Sequence, residues 1–282
     1  STEYSSIGGK AVVYASTGKS VRLKRILPDG KAVVFAFDHG VEHGPSDFLP
    51  EHIDPRTILQ KVVDAGVDAV MMTPGLAHAT RELWIGKTSL IVKITGKTNL
   101  RPENERLLQS IFGSVEDAVA LGADAVAATV YWGSPYEDAM LSQWFSIKSV
   151  AEAYGYPCLQ LAYPRGPTIR NRYSPEVVKY GVRAAVESGA DLIKTYYTGS
   201  RDSFREVVKA AAGIPVLMSG GAPREKFIDF LRDVEAVIDA GAKGVVVGRN
   251  VFRHPNPAGA IKAVMKLVHE SIPVEEAVRL AE

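Results

Sequence analysis

The sequence predicts an α/β fold, a closed (β/α)8 barrel built as one domain over residues 1–282, on three observations. A phrase recurs in which a helix-periodic stretch ends at glycine and passes within two residues into a short apolar run. It begins at Asp64, Leu121, Ser188 and Ala240. Eight apolar runs alternate with helical patterns along the chain, and such alternation calls for parallel strands joined by right-handed crossovers. No GxGxxG fingerprint follows the first run, which argues against an open dinucleotide-binding sheet.

The elements follow from these patterns. A glycine ending each helix suits the left-handed C-cap, where a missing Cβ removes the steric penalty. The runs after it are β-prone and apolar on both faces, as a covered parallel strand requires. Strands are expected at Ala32–Phe37, Val67–Met72, Leu90–Ile94, Ala125–Val130, Cys158–Tyr163, Leu192–Thr195, Val216–Met218 and Val245–Gly248. Helices are expected at Pro55–Ala65, Val115–Leu121, Tyr136–Tyr154, Pro175–Ser188, Asp202–Ala212, Pro223–Ala240 and Pro257–Glu270. Several open on proline, whose fixed φ suits a first helical position. A further turn or short helix is expected within Glu103–Phe112, and residues 1–30 form an N-terminal extension that covers the barrel bottom or an oligomer contact.

With 46% hydrophobic residues and a formal net charge of +1, nothing points to nucleic acid or an anionic membrane as a partner. The single cysteine, Cys158, allows no intramolecular disulfide and reads as a buried small hydrophobe. The first residues lack the apolar core of a signal peptide and no segment reaches membrane-spanning length, so a cytoplasmic location is expected.

In a barrel of this kind the chemistry gathers at the C-terminal ends of the strands. Lys194 interrupts the apolar strand Leu192–Thr195, where a charged ammonium is unfavourable to desolvate. Burial and nearby cations lower a lysine pKa, and a neutral amine can attack a carbonyl to form an iminium. The plainer reading is a lysine salt-bridged across the barrel mouth, and Lys93 is a rival nucleophile that more naturally supplies positive charge. Tyr163 ends the fifth strand, where its phenol either packs or moves a proton, the latter if Lys93, Lys194 or Arg165 lowers its pKa. Ser219, Gly220 and Gly221 after the seventh strand and Gly248, Arg249 and Asn250 after the eighth read together as a phosphate site. Small residues there bare backbone N–H groups to an anion, though two ligand-free tight turns would look alike. Asp38, His39, Glu42 and His43 offer metal-ligand types, but in a glycine-rich loop they suit sugar hydroxyls and a second phosphate better.

Five ordered segments then carry a resemblance: Asp38 to Pro45, Ala162 to Gly166, Ile193 to Gly199, Ser219 to Gly221, and Val247 to Asn250. Together they resemble the archaeal-type class I fructose-1,6-bisphosphate aldolases, over nearly the whole chain. The resemblance implies reversible, metal-independent aldol cleavage to dihydroxyacetone phosphate and glyceraldehyde 3-phosphate, in glycolysis or gluconeogenesis and without a cofactor. It implies that Lys194 forms the Schiff base, Tyr163 transfers the proton and Asp38 contacts substrate hydroxyls. His39, His43, Asp47, Arg165, Tyr196 and Lys93 line the remaining substrate, and Ser219, Gly220, Gly221, Gly248 and Arg249 hold a phosphate. A homo-oligomer of stacked five-membered rings is implied as well. Leu161 departs from the pattern, because some relatives carry an aromatic there. Two sister groups share parts of these motifs: aminodideoxyheptulosonate synthases and the thiolases of autoinducer-2 degradation. The Glu42–His43 pair favours the glycolytic aldolase, and a non-catalytic phosphosugar-binding barrel is the alternative of another class.

Overall fold

The four glycines of the repeated phrase all adopt positive φ: 93° at Gly66, 71° at Gly122, 86° at Gly189 and 103° at Gly241. Each therefore ends its helix in a conformation that a side chain would strain. The computed structural model describes residues 3–220 and 224–282, with side chains from residue 13 onward. Eight strands follow in chain order: β1 (Ala32–Ala36), β2 (Ala69–Met72), β3 (Ser89–Lys93), β4 (Ala125–Trp132), β5 (Cys158–Pro164), β6 (Leu192–Thr195), β7 (Val216–Ser219) and β8 (Gly244–Val247). Each pairs in parallel with the next, and β8 pairs back onto β1 to close the barrel. The strands are buried almost throughout, so the barrel interior is packed side chains rather than a pore. Cys158 is among these buried residues, and burial pushes its thiol up to about 12. No described helix is long and apolar enough to cross a membrane.

The acidic residue two places after three of those glycines has a structural task at the barrel bottom. Asp68 accepts the Val33 N–H at 2.8 Å and Asp191 accepts the Cys158 N–H at 2.9 Å, each tying one strand start to its neighbour. Asp124 takes Arg25, and Asp191 also takes Lys19, both from the helix Glu3–Ile26. That helix lies along the bottom rim, where Arg22 also donates to the Gly155 carbonyl at 3.0 Å.

His269, near the end of the helix Pro257–Glu270, is held between Asp68 at 2.6 Å and Asp29 at 2.8 Å. The hydrogen bond with Asp68 is the main reason its pKa rises to about 9. A folded-state pKa above the unfolded value means the contribution is complete below about pH 6.5 and is lost as pH rises through about 9. Thermal melts should therefore show a drop in Tm between pH 7 and 10 that His269→Gln flattens, the wild type leading at pH 7 by about 2 kcal/mol. Parallel melting curves for the two proteins over that range would contradict the clamp.

Several local expectations change. The segment after β1 is not a loop: His39–His43 forms one helical turn, followed by 3-10 turns at Pro45–Asp47 and Pro50–His52. Two short helices, Pro74–Ala79 and Arg81–Trp84, fill the β2–β3 connection. The helix expected from Pro223 begins at Phe227; Pro223 itself lies outside the described residues, and Arg224 to Lys226 are exposed ahead of it. Within Glu103–Phe112 the expected short turn forms as a 3-10 helix at Glu103–Glu105, and Ser110–Ile111 adds an antiparallel pairing with Thr95–Gly96. On the helix Glu137–Tyr154, Met140 and Trp144 are core residues whereas Phe145 is exposed.

Candidate active site

The C-terminal strand ends converge on one cavity of about 820 Å³, counting its open mouth. Of the residues picked from the sequence, Asp38, His39, His43, Lys93, Tyr163, Arg165, Lys194, Tyr196, Ser219, Gly220, Gly248 and Arg249 all line it. Leu161 lines it too, paired in register with Lys194 on the neighbouring strand.

The two buried lysines are unlike. Lys93 is fully buried, with Nζ 3.2 Å from Asp38 Oδ2, 3.4 Å from Glu42 Oε1 and 3.4 Å from Gln109 Oε1. It is the lysine salt-bridged across the barrel mouth, and its charge is matched. Lys194 makes no hydrogen bond or ion pair among the described residues, and its Nζ lies 5.7 Å from the centre of the Tyr163 ring. Burial pushes its pKa below the ordinary lysine value. Asp38 and Glu42 oppose that shift, while Arg165 and Arg249 add to it. A buried amine with no counter-ion in contact is the form that attacks carbonyls. For Asp38, burial alone would raise the pKa, but Lys93 and Lys194 together hold it below the usual carboxylate value.

Tyr163 stacks on Tyr196, ring centres 4.7 Å apart and planes 9° from parallel, with Arg165 seated 5.2 Å from the Tyr163 ring centre. Arg165 also donates to the Tyr196 hydroxyl and lies 5.2 Å from the Tyr131 ring centre. These cations were expected to lower the phenol pKa of Tyr163, and they do not prevail. Burial raises it well above the ordinary tyrosine value; Ser219, Arg165 and Lys93 pull down without overcoming burial, and the Asp38 charge adds to it. Tyr163 therefore rests as a protonated phenol.

Two strands round the barrel from Tyr163, Ser219 ends β7, and Arg249 opens a one-turn helix, Arg249–Phe252, capped by Gly248. Gly220 does not offer its backbone N–H to an anion as expected, because the Val246 carbonyl takes it at 2.9 Å. Gly221 lies outside the described residues. Asn250 secures the turn by donating to the Gly220 carbonyl at 2.9 Å and accepting from the Arg224 N–H at 2.9 Å. Asp47, expected to line the substrate, stands behind the wall instead, where it engages His39 and Arg253. His43 stacks on His39 with ring centres 4.4 Å apart, and burial first, then neighbouring cationic groups, push its pKa down to about 4.

Sequence reading missed part of the lining: Lys97, Thr129, Tyr131, Arg172 and Tyr173, with Glu42 noted only as a possible ligand. Glu42 forms an ion pair with Lys93 and with Lys97, each at 3.4 Å, and accepts from Gln109, which also donates to the Tyr131 hydroxyl at 3.0 Å. Lys97 follows β3 by four residues, so a scan reaching one turn past each strand end finds it. Gln109 carries no such signal. Among the described residues, no group of three or more His, Cys, Asp or Glu side chains is placed to hold a metal ion.

Comparison with known proteins agrees with this geometry. The model of the DeoC/LacD family aldolases matches residues 32–254, from β1 to the turn beyond β8. The class 1 fructose-bisphosphate aldolase of Thermoproteus tenax is 42% identical over 242 residues, covering 85% of this chain and 90% of that one. The Halobacterium salinarum protein of the same name is 35% identical over 257 residues, covering 89% and 95%. A crystal structure of an archaeal fructose 1,6-bisphosphate aldolase superposes with a TM-score of 0.83 at 40% identity, covering 89% of this chain and 99% of that one. A second solved archaeal fructose-1,6-bisphosphate aldolase, with its catalytic lysine covalently bound to the carbinolamine intermediate of the substrate, matches with the same TM-score of 0.83, identity of 40% and coverage of 89% and 99%. On a matched region that takes in every strand of the barrel and on this level of identity, the chain belongs to the DeoC/LacD aldolase family, among the class 1 fructose-bisphosphate aldolases of archaeal type.

Proposed function

We propose that this protein is a class I aldolase that reversibly cleaves fructose 1,6-bisphosphate into dihydroxyacetone phosphate and glyceraldehyde 3-phosphate, with Lys194 as the covalent nucleophile. The observation that carries the proposal is the unpaired, desolvated amine of Lys194 beside Tyr163 and within the field of Arg249. The neutral Nζ adds to the ketose carbonyl, and loss of water leaves an iminium cation. As the C4 hydroxyl gives up its proton, the C3–C4 bond breaks and its electron pair flows into the iminium. The aldehyde departs and the enamine remains. Protonation at C3 and hydrolysis then release dihydroxyacetone phosphate and restore the amine.

Tyr163 has the right resting state for this sequence. A phenol held protonated can give its proton to the departing carbinolamine hydroxyl, and the resulting phenolate is a strong base towards the C4 hydroxyl. Asp38, kept ionised by Lys93 and Lys194, accepts from substrate hydroxyls. Ser219 and Arg249 receive the ketose phosphate, and Arg165 with Lys97, His43 and Tyr196 faces the rest of the substrate. A non-catalytic phosphosugar-binding barrel would have no use for an unpaired Lys194 beside Tyr163. A cytoplasmic place in glycolysis or gluconeogenesis, and a homo-oligomer built on rings of five, belong to the same proposal.

The test is a cleavage assay on fructose 1,6-bisphosphate in EDTA, run beside the substrates of the sister synthases and thiolases. Cleavage of the bisphosphate, undiminished by the chelator, is the expected result. Activity lost to EDTA and restored by a divalent metal, or confined to a sister substrate, would overturn it. In the same assay Arg249→Ala should raise KM about 10- to 150-fold, the loss of a charge-assisted hydrogen bond worth roughly 1.5–3 kcal/mol. An unchanged KM would place the phosphate elsewhere.

A further inference from the structure

The wall of the cavity behind His39 is built in more detail than substrate contact requires. His39 begins the helical turn after β1, and its ring lines the cavity. One ring nitrogen, Nε2, meets Asp47 Oδ2, and Asp47 itself lies outside the cavity lining. The other carboxylate oxygen of Asp47 accepts from Arg253 Nη2, and the Asp47 carbonyl accepts from Arg253 Nε at 3.1 Å. Both oxygens of Asp47 are thus engaged, and the carboxylate is tied to the same turn that carries Arg249. The imidazole has little freedom to rotate: His43 stacks on it at 4.4 Å, Phe48 meets it edge-on at 5.7 Å, and Phe252 packs at 4.8 Å. Among the described residues nothing takes a hydrogen bond from Nδ1 or gives one to it.

A carboxylate only accepts, so the nitrogen facing it carries the proton; in a neutral ring the other nitrogen is then bare. Burial lowers the His39 pKa, and the Arg249 charge adds to that, while Asp47 and Asp38 oppose it. Asp47, held below the usual carboxylate value by His39, Arg253 and Arg249 despite its burial, stays ionised as the acceptor.

We propose that Asp47 is a positioning residue that fixes His39 in its Nε2–H tautomer, so that the ring offers the cavity a bare Nδ1 lone pair and recognises a hydroxyl of the substrate rather than a phosphate. A phosphate dianion brings only lone pairs, and a bare nitrogen repels them. A sugar hydroxyl brings a proton, and Nδ1 accepts it. The anion-binding work is thereby left to the arginines, and His39 reads the polyol part of the chain between them. The hydroxyl assignment rests on the aldolase reading, whereas the tautomer does not.

The experiment has a part without substrate and a part with it. In protein labelled with [15N]histidine, long-range proton–nitrogen correlation at pH 7 reports the state of each ring, and loss of one signal set in His39→Gln identifies His39. The expected pattern is a neutral ring protonated on Nε2. In Asp47→Asn the amide can donate to Nε2 while its oxygen still accepts from Arg253, so His39 should switch to the Nδ1–H form. An imidazolium, or a wild-type ring protonated on Nδ1, overturns the proposal even if the enzyme is an aldolase. With substrate, Asp47→Asn should raise KM for fructose 1,6-bisphosphate about tenfold or more, as expected when an accepting group becomes a donor, and leave inhibition by inorganic phosphate unchanged. Phosphate inhibition weakened in step with KM would mean that Asp47 acts through Arg253 on the anion site and not through His39. An unchanged KM in a variant whose tautomer has switched would remove the hydroxyl assignment. Should Asp47→Asn fail to fold, the wild-type tautomer still decides the first half.

Discussion

Lys194→Met is expected to lower turnover of fructose 1,6-bisphosphate by about five to six orders of magnitude, the scale of removing a covalent nucleophile. Methionine fills similar volume without a charge, and Lys194 has no ion-pair partner to leave behind, so the variant should fold and melt at least as high as the wild type. Lys93 makes the contrast. Lys93→Met strands Asp38 without its ion-pair partner and leaves Glu42 only Lys97, which should destabilise the fold by about 3–5 kcal/mol. Circular dichroism melts beside a coupled activity assay separate the two outcomes. A Lys194→Met protein that retained substantial turnover would return the nucleophile to Lys93.

The second large effect belongs to Tyr163. Tyr163→Phe keeps the ring that stacks on Tyr196 and removes only the hydroxyl, so stability should shift by no more than about 1 kcal/mol. Turnover should fall by roughly two to four orders of magnitude, the span of a lost general acid–base group. Lys194 and the arginines remain, so the covalent adduct can still form and should accumulate as turnover drops. Near-normal turnover in a folded variant would make Tyr163 a packing residue and pass the proton to another group, with Asp38 the next candidate.

What could be read in advance was what repeats or interrupts a pattern. The four glycines at helix ends showed themselves because only a left-handed cap calls for glycine at that place in every repeat. Lys93 and Lys194 showed themselves because a charge stands out in an apolar strand. Lys97, Arg172 and Tyr173 sit on connections with no periodicity, and only the fold brings them to the cavity, with Gln109 bonded to Glu42 behind them. The helical turn His39–His43 was hidden by its two glycines, Gly40 within it and Gly44 at its C-cap, which read as a loop. Tyr163 does line the cavity, but the physics was misjudged: nearby cations were counted, and desolvation at the barrel mouth outweighs them. Gly220 also lines the cavity, yet its N–H serves the strand pairing rather than an anion. Composition does not say which backbone donors a fold has already used.

Schiff-base chemistry is tested most directly by where a substrate carbon becomes attached. Borohydride added to the protein with dihydroxyacetone phosphate reduces any iminium to a stable amine, and peptide mass spectrometry then locates it. The expected result is one reduced ligand per chain on Lys194, absent in Lys194→Met and undiminished by EDTA. Label on Lys93, or no label at all while the protein cleaves fructose 1,6-bisphosphate, would contradict it.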